Sequence, residues 1–130
     1  MFEGSLLANV LAGILSIMFL FFSSIKILGW HKTIFEIQME FMKKYGISRL
    51  LYGLIGVIEF ISSLMIIFQG SILGLLGAIG IAFTSIGAIF FHARYDTFKD
   101  MIPALITLTL SSIIIIKNQQ LIIDILKISF

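Results

Sequence analysis

The sequence predicts an all-α integral membrane protein: a four-helix bundle with a short interfacial amphipathic helix between its first and second spans. Three observations predict it. The 130 residues are 59% hydrophobic and only 12% charged, with a mean hydropathy of +1.13, a departure from soluble averages that long apolar segments produce. The apolar residues fall into four runs, at about 6–28, 50–68, 72–91 and 101–116, most of them close to the ~20 residues a spanning helix needs. Between the first two runs, at about 34–45, lies a charged stretch with helical periodicity that is too short and too polar to span. One membrane domain accounts for the whole chain, and no separate soluble domain fits.

Composition excludes several classes of function. There is no cysteine, so thiol–disulfide chemistry, thiolate metal sites and structural disulfides are ruled out together. A net charge of +2, scattered among apolar runs, lacks the clustered basic stripe that nucleic-acid binding requires. The first residues carry neither a basic leader nor a small-residue cleavage signature, so the first run is expected to be retained as a span.

In the first run Asn9, Gly13, Ser16, Leu20, Ser23 and Ile27 recur at three- and four-residue steps. They are expected to form one weakly polar face that meets other helices, with Trp30 as an interfacial anchor. Thr33 to Glu36 has the spacing of a capping box, which starts the amphipathic helix. Its face of Ile34, Phe35, Gln38, Phe41, Met42 and Tyr45 is apolar enough to lie on a membrane surface or to cover the bundle mouth. Lys43 and Lys44 complement its last turn, and Gly46 supplies a left-handed stop.

The second run places Tyr52, Gly56, Glu59, Ser62 and Ser63 on one face, followed by a short turn at Gln69 to Ser71 that makes the next helix an antiparallel neighbour. In the third, Gly74, Gly77, Gly80 and Gly87 form a stripe, a device for close backbone approach, and Gly56 is expected to act likewise. Residues 92–100 are polar and read as a loop. Pro103 then falls in the first turn of the fourth helix, where its missing amide is an orphan anyway. The tail from Leu121, with Asp124 and Lys127, either lies on the membrane or extends the fourth helix.

Seven of the nine Lys and Arg residues fall on the side of the connections between helices one and two and between three and four. Only Lys117 and Lys127 lie opposite. The basic-side rule therefore places both connections in the cytoplasm and both termini outside.

Glu59 is the residue that most needs an explanation. A carboxylate near mid-bilayer costs ~2.5–3.5 kcal/mol on insertion scales and is kept only where it faces protein or water. Lys26 and His92 stand near the cytoplasmic ends of their helices, so in straight, flush helices neither is level with it. Tyr52, Ser62, Ser63, Thr84 and Ser85 are the alternative hydrogen-bonding neighbours. Two readings stand. In one, a protonated Glu59 donates to a carbonyl of a lipophilic ligand such as a quinone, with Lys26, Tyr52, Ser63, Ser85 and His92 as the other ligand-binding candidates. In the other, Glu59 is a helix-to-helix anchor without a ligand. No catalytic triad, phosphate loop or paired-carboxylate motif is present, and His92 and His31 lie too far apart in sequence to suggest a metal site.

Lys26-Ile-Leu-Gly29 closing the first helix, Gly56-Val-Ile-Glu59 in the second, a glycine- and alanine-rich third helix ending in His92, and Pro103 opening the fourth together resemble the DoxX-like family over nearly the whole chain. The resemblance implies a four-helix membrane bundle of the bacterial inner membrane, related to subunits of a thiosulfate:quinone oxidoreductase. The wider group also includes an animal endoplasmic-reticulum protein that assists receptor assembly. The expected function is that of a small accessory membrane protein holding a quinone or similar ligand around Glu59 for a redox partner. The alternative is an assembly factor or chaperone whose small-residue helix faces hold a client membrane protein or a second copy, without chemistry. Solute transport needs a continuous polar path, and the row from Tyr52 to Ser63 is too short to make one.

Overall fold

The computed structural model describes residues 6–129. The described residues form six helices: α1 (Leu6–Leu28), α2 (Lys32–Tyr45), α3 (Arg49–Met65), α4 (Ile72–Tyr95), α5 (Phe98–Lys117) and α6 (Gln119–Ser129). Residues 1–5, read above as the retained lead-in to the first span, lie outside the described part. α1 packs on α3, α3 on α4, α4 on α5, and α5 returns to α1, which closes a four-helix ring. α1, α4 and α5 are long and apolar enough to cross a membrane, and α3, with 17 residues, adds a fourth rod of ~26 Å. The protein is an integral membrane helical bundle.

Its interior is built from small and weakly polar side chains. Ser16, Ser23, Ser62, Ser63, Ser85, Thr107 and Ser111 are buried, while Ile17, Phe83 and Phe90 point outward. That inversion of a soluble core is what lipid solvent favours, because apolar side chains gain nothing by leaving it and helices associate through close packing. Ala12, Leu15, Phe19, Ile66, Ala78, Ile81 and Ile114 form the apolar centre. All of these buried hydroxyls but that of Ser62 donate to carbonyls of their own or a facing helix, as when Ser16 Oγ donates to Ser63 O across 2.8 Å.

Local signals account for most helix ends, and several differ from the sequence expectation. α2 is capped not by Thr33 but by His31, whose Nδ1 accepts from the Ile34 amide at 3.3 Å, so the helix starts one residue ahead of the Thr33–Glu36 box. α3 stops at Met65 rather than 68. Gln69 Nε2 donates to Ile66 O at 2.7 Å, Gly70 takes a positive φ, and Ser71 caps α4, so side chains satisfy the terminal backbone groups. α4 continues through His92 to Tyr95, and the expected loop shrinks to Asp96 and Thr97. Thr97 and Asp100 form the capping box that opens α5. Pro103 therefore stands in the second turn of α5 and not in its first.

The α1 face is also displaced. Ala8, Ala12, Leu15, Ser16, Phe19 and Ser23 point inward, whereas a side chain added at Gly13 would meet nothing within 4 Å. Of the glycine stripe, Gly74, Gly77 and Gly80 do oppose atoms of the α3 end and the following turn. A Cβ on Gly77 would lie 2.5 Å from the Ile66 amide nitrogen. Gly87 faces open space, so it is not a packing glycine within this chain; the stripe drifts off the α3 contact after Gly80. Past Asn118, α6 is a separate helix touching only the end of α5 among its neighbours of substantial contact.

Candidate functional site

The α1–α3 seam tightens where Gly56 passes Lys26. A Cβ on Gly56 would fall 2.7 Å from Lys26 Cβ and 3.3 Å from Ser23 O, so only a glycine lets the backbones come this near. Glu59, almost one turn further along α3, then faces the Lys26 side chain, and Lys26 Nζ forms an ion pair with Glu59 Oε1. Their side chains keep 18% and 7% of their exposure. The expectation that the two stand at different depths is therefore corrected. Gly56 lies seven residues, ~10 Å, from the start of α3, and Lys26 only two residues, ~3 Å, from the end of α1. α3 thus overhangs α1 by several ångströms, and flush helix ends were the wrong assumption.

The overhang is itself held. Arg49, in the first turn of α3, donates from Nη2 to Ile27 O at 2.8 Å, satisfying a carbonyl that the end of α1 leaves open. Its guanidinium lies 5.0 Å from the Phe35 ring and 6.0 Å from the Tyr52 ring. Tyr52 is 1% exposed, and its hydroxyl donates to Gln38 Oε1 on α2. The Lys26 ammonium sits 5.9 Å from the Tyr52 ring centre. Lys26, Glu59 and Tyr52 thus form one cluster beneath α2.

A second cluster joins the far end of α2 to the end of α4. The Asp96 carboxylate accepts from Lys44, from the Tyr45 hydroxyl and, at 2.9 Å, from His92 Nδ1. A carboxylate only accepts, so the His92 Nδ1 carries the proton in that bond. Asp96 sits at the rim of the fold, yet these three side chains leave its own side chain no exposed surface. Burial pushes its carboxyl upward, but the hydrogen bonds from Lys44, Tyr45 and His92 outweigh that and hold it down at about 2. Burial, then the bond to Asp96, raises the Tyr45 phenol above the ordinary tyrosine value. Around them Tyr45 stacks on Phe91 at 5.0 Å, and Phe41 meets His92 edge-on at 5.7 Å.

A family model described as the DoxX-like family matches residues 10–114. The chain belongs to the DoxX-like family. The match takes in both clusters and all of the α1–α5 frame but the first turn of α1 and the last of α5, and ends before α6. Comparison with curated proteins yields no match, and neither does comparison with solved structures.

In this DoxX-like chain the six ligand-binding candidates do not converge. Lys26, Tyr52 and Glu59 meet. Ser63 lies apart on the α1–α3 seam, its Oγ donating to Phe60 O at 2.6 Å. Ser85 bonds Thr107 at 2.7 Å between α4 and α5, and His92 belongs to the Asp96 cluster. Gln38 was visible as part of the shared face of α2, but the sequence shows Lys44 only as a complement to the last turn of that helix, Asp96 only as part of a polar stretch, and Arg49 only as one of the charges on the basic side. Their roles depend on how α2 folds across the bundle end, which helix periodicity does not report. An open apolar groove lined by Ile102, Leu105, Ile106, Thr109 and Leu110 runs along α5, and none of the Glu59 neighbours lines it. Among the described residues no three His, Cys, Asp or Glu side chains gather in an arrangement that could hold a metal ion.

Proposed function

We propose that this DoxX-like protein is a small accessory protein of a bacterial inner membrane. It holds the polar head of a lipophilic ligand, with a quinone as the best chemical fit, at the Lys26–Glu59 pair in support of a redox partner. The carrying observation is the buried ion pair itself. Desolvating two charges costs several kcal/mol per ion, and an apolar pair of equal volume serves a purely structural role as well or better. A charge pair kept in a spanning region is a functional-site hypothesis by default.

The chemistry suits a carbonyl ligand. Lys26 has three N–H donors and gives one to Glu59, so donors remain for a carbonyl oxygen. Tyr52 offers a ring face for a planar headgroup to stack on. The cluster lies at the end of the bundle that carries seven of the nine Lys and Arg residues, so this end is assigned to the cytoplasmic interface, with both termini outside. The assembly-factor reading draws on outward-open Gly13 and Gly87, but Gly74, Gly77 and Gly80, its main support in the sequence, are consumed by contacts within the chain.

The test is purification in mild detergent of wild type and of a Lys26→Met/Glu59→Leu double variant, followed by mass spectrometry of co-extracted small molecules and proteins. A lipophilic carbonyl compound enriched with wild type and at least tenfold depleted from the variant is the expected result. If no small molecule is enriched and one membrane protein accompanies both forms, the assembly reading replaces this one.

A further inference from the structure

α2 is attached to the bundle unlike any other helix between α1 and α5. None of its residues is buried, and it turns through 116° relative to α3, so it lies across the bundle end. Gly29 and Gly46, both in the left-handed region, flank it, and a Cβ on Gly46 would meet nothing within 4 Å. Its face of Ile34, Phe35, Gln38, Phe41, Met42 and Tyr45 is only half-buried, so the two polar tethers and the rings around them carry a large share of what holds α2.

The tethers are unequal. At the Tyr45 end the Asp96 carboxylate, itself held by His92 on α4, accepts from Lys44 and Tyr45 of α2, and bonds to a charged group are roughly twice as strong as neutral ones. In its N-terminal half, a neutral bond from Tyr52 to the mid-helix Gln38 is supported by the Phe35 ring against Arg49 and Tyr52. Directly beneath this weaker tether lies the ion pair, since Tyr52, Gly56 and Glu59 share one face of α3 and the Tyr52 ring stands beside the Lys26 ammonium. The route between α1 and α3 is shut by the Gly56 contact and by the Ser16–Ser63 bond.

We propose that α2 is a hinged cover over the Lys26–Glu59 pair: it pivots at its Tyr45 end on Asp96 and lifts over its N-terminal half, on the connection at residues 29–31, by releasing Tyr52 from Gln38, so that access is from the membrane interface under α2. The claim rests on the proposed function only in taking the ion pair as the site. The motion is tested without any ligand, so it stands or falls separately from the extraction result. Elements with few buried contacts are those that open at low free energy, and the unequal tethers give the opening a direction.

The chain has no cysteine, so spin-label pairs can be placed without background. One pair, Ile37→Cys with Leu54→Cys, reads the lifting half; a second, Lys43→Cys with Phe98→Cys, reads the pivot. All four positions are exposed. In nanodiscs, Tyr52→Phe removes one hydroxyl and should add to the first pair a population longer by about 5 Å, the separation a stacked planar ring requires. The second pair should keep its wild-type distribution. Gln38→Leu breaks the same bond from the other side and should do the same. The proposal is overturned if neither variant alters the first pair, or if the second pair lengthens with it, since α2 would then be fixed or would detach as a whole.

Discussion

Replacing Lys26 by Met removes the cation paired with Glu59 and leaves a carboxyl whose side chain is 7% exposed. Breaking one side of a buried pair costs about 3–5 kcal/mol. The 18% exposure that Lys26 retains points to the lower end, about 3 kcal/mol, or roughly a hundredfold and more in the folding equilibrium. Glu59→Leu should cost less, about 1–2 kcal/mol, because the long Lys26 stem can carry its ammonium toward the interface. Glu59 has no such reach. Lys26→Met/Glu59→Leu should return to within about 1 kcal/mol of wild type, since it leaves neither charge stranded. Equilibrium unfolding in mixed micelles, followed by helical circular dichroism across the four proteins, measures all three differences and the coupling between the sites. If Lys26→Met costs under 0.5 kcal/mol, or the double variant costs the sum of the singles, the pair is not the coupled buried unit described here.

The glycines give an ordered series. Gly77→Ala, whose Cβ would press on Ile66 and Ser62 backbone atoms, should lower stability more than Gly80→Ala, whose Cβ meets the Ser62 hydroxyl. Ser62→Ala should rescue only the latter in the same unfolding assay. Gly87→Ala and Gly13→Ala meet open space and should be neutral or gain up to about 1 kcal/mol from helix propensity. The Asp96 carboxyl, ordinarily near 3.8, is held at about 2 in the folded chain. Its contribution is therefore complete above about pH 4 and lost as pH falls toward 2, so Asp96→Asn should flatten that limb of a stability–pH profile. Thr97→Ala removes the α5 capping box and should cost about 1 kcal/mol, measurable as a lowered thermal midpoint.

Much of this architecture was legible because lipid-spanning helices announce themselves by length and hydropathy, and because Glu59 is a charge where no charge is cheap. The inward face of α3 was likewise readable from its periodicity. What periodicity does not carry is the vertical offset between helices. Lys26 meets Glu59 because α3 begins well beyond the end of α1, an overhang set by Arg49 reaching Ile27 O. Identical residues also took different roles for reasons lying on a facing element: Gly77 has the Ile66 backbone against it and Gly87 has nothing. Residues 92–100 were taken for a loop on polarity alone, yet charged and aromatic side chains are what helix ends at an interface carry, and Thr97 with Asp100 is a start signal as good as the one sought at Thr33.

The Lys44–Asp96 bond has a consequence for how the molecule is made. Its two residues are 52 positions apart, against 33 for Lys26 and Glu59. At ~5–20 residues per second, a ribosome delivers Asp96 roughly 3–10 s after Lys44. α2 therefore exists for seconds as an amphipathic helix without its strongest attachment, while the ion pair below it can already form. The order of synthesis lets assembly run from the inside outward: the seam between the first two spans is available to close first, and the helix lying over it can be fastened only when the third span arrives. A chain stalled before Asp96 presents that helix loose at the membrane surface, a mark by which incomplete insertion can be told from complete.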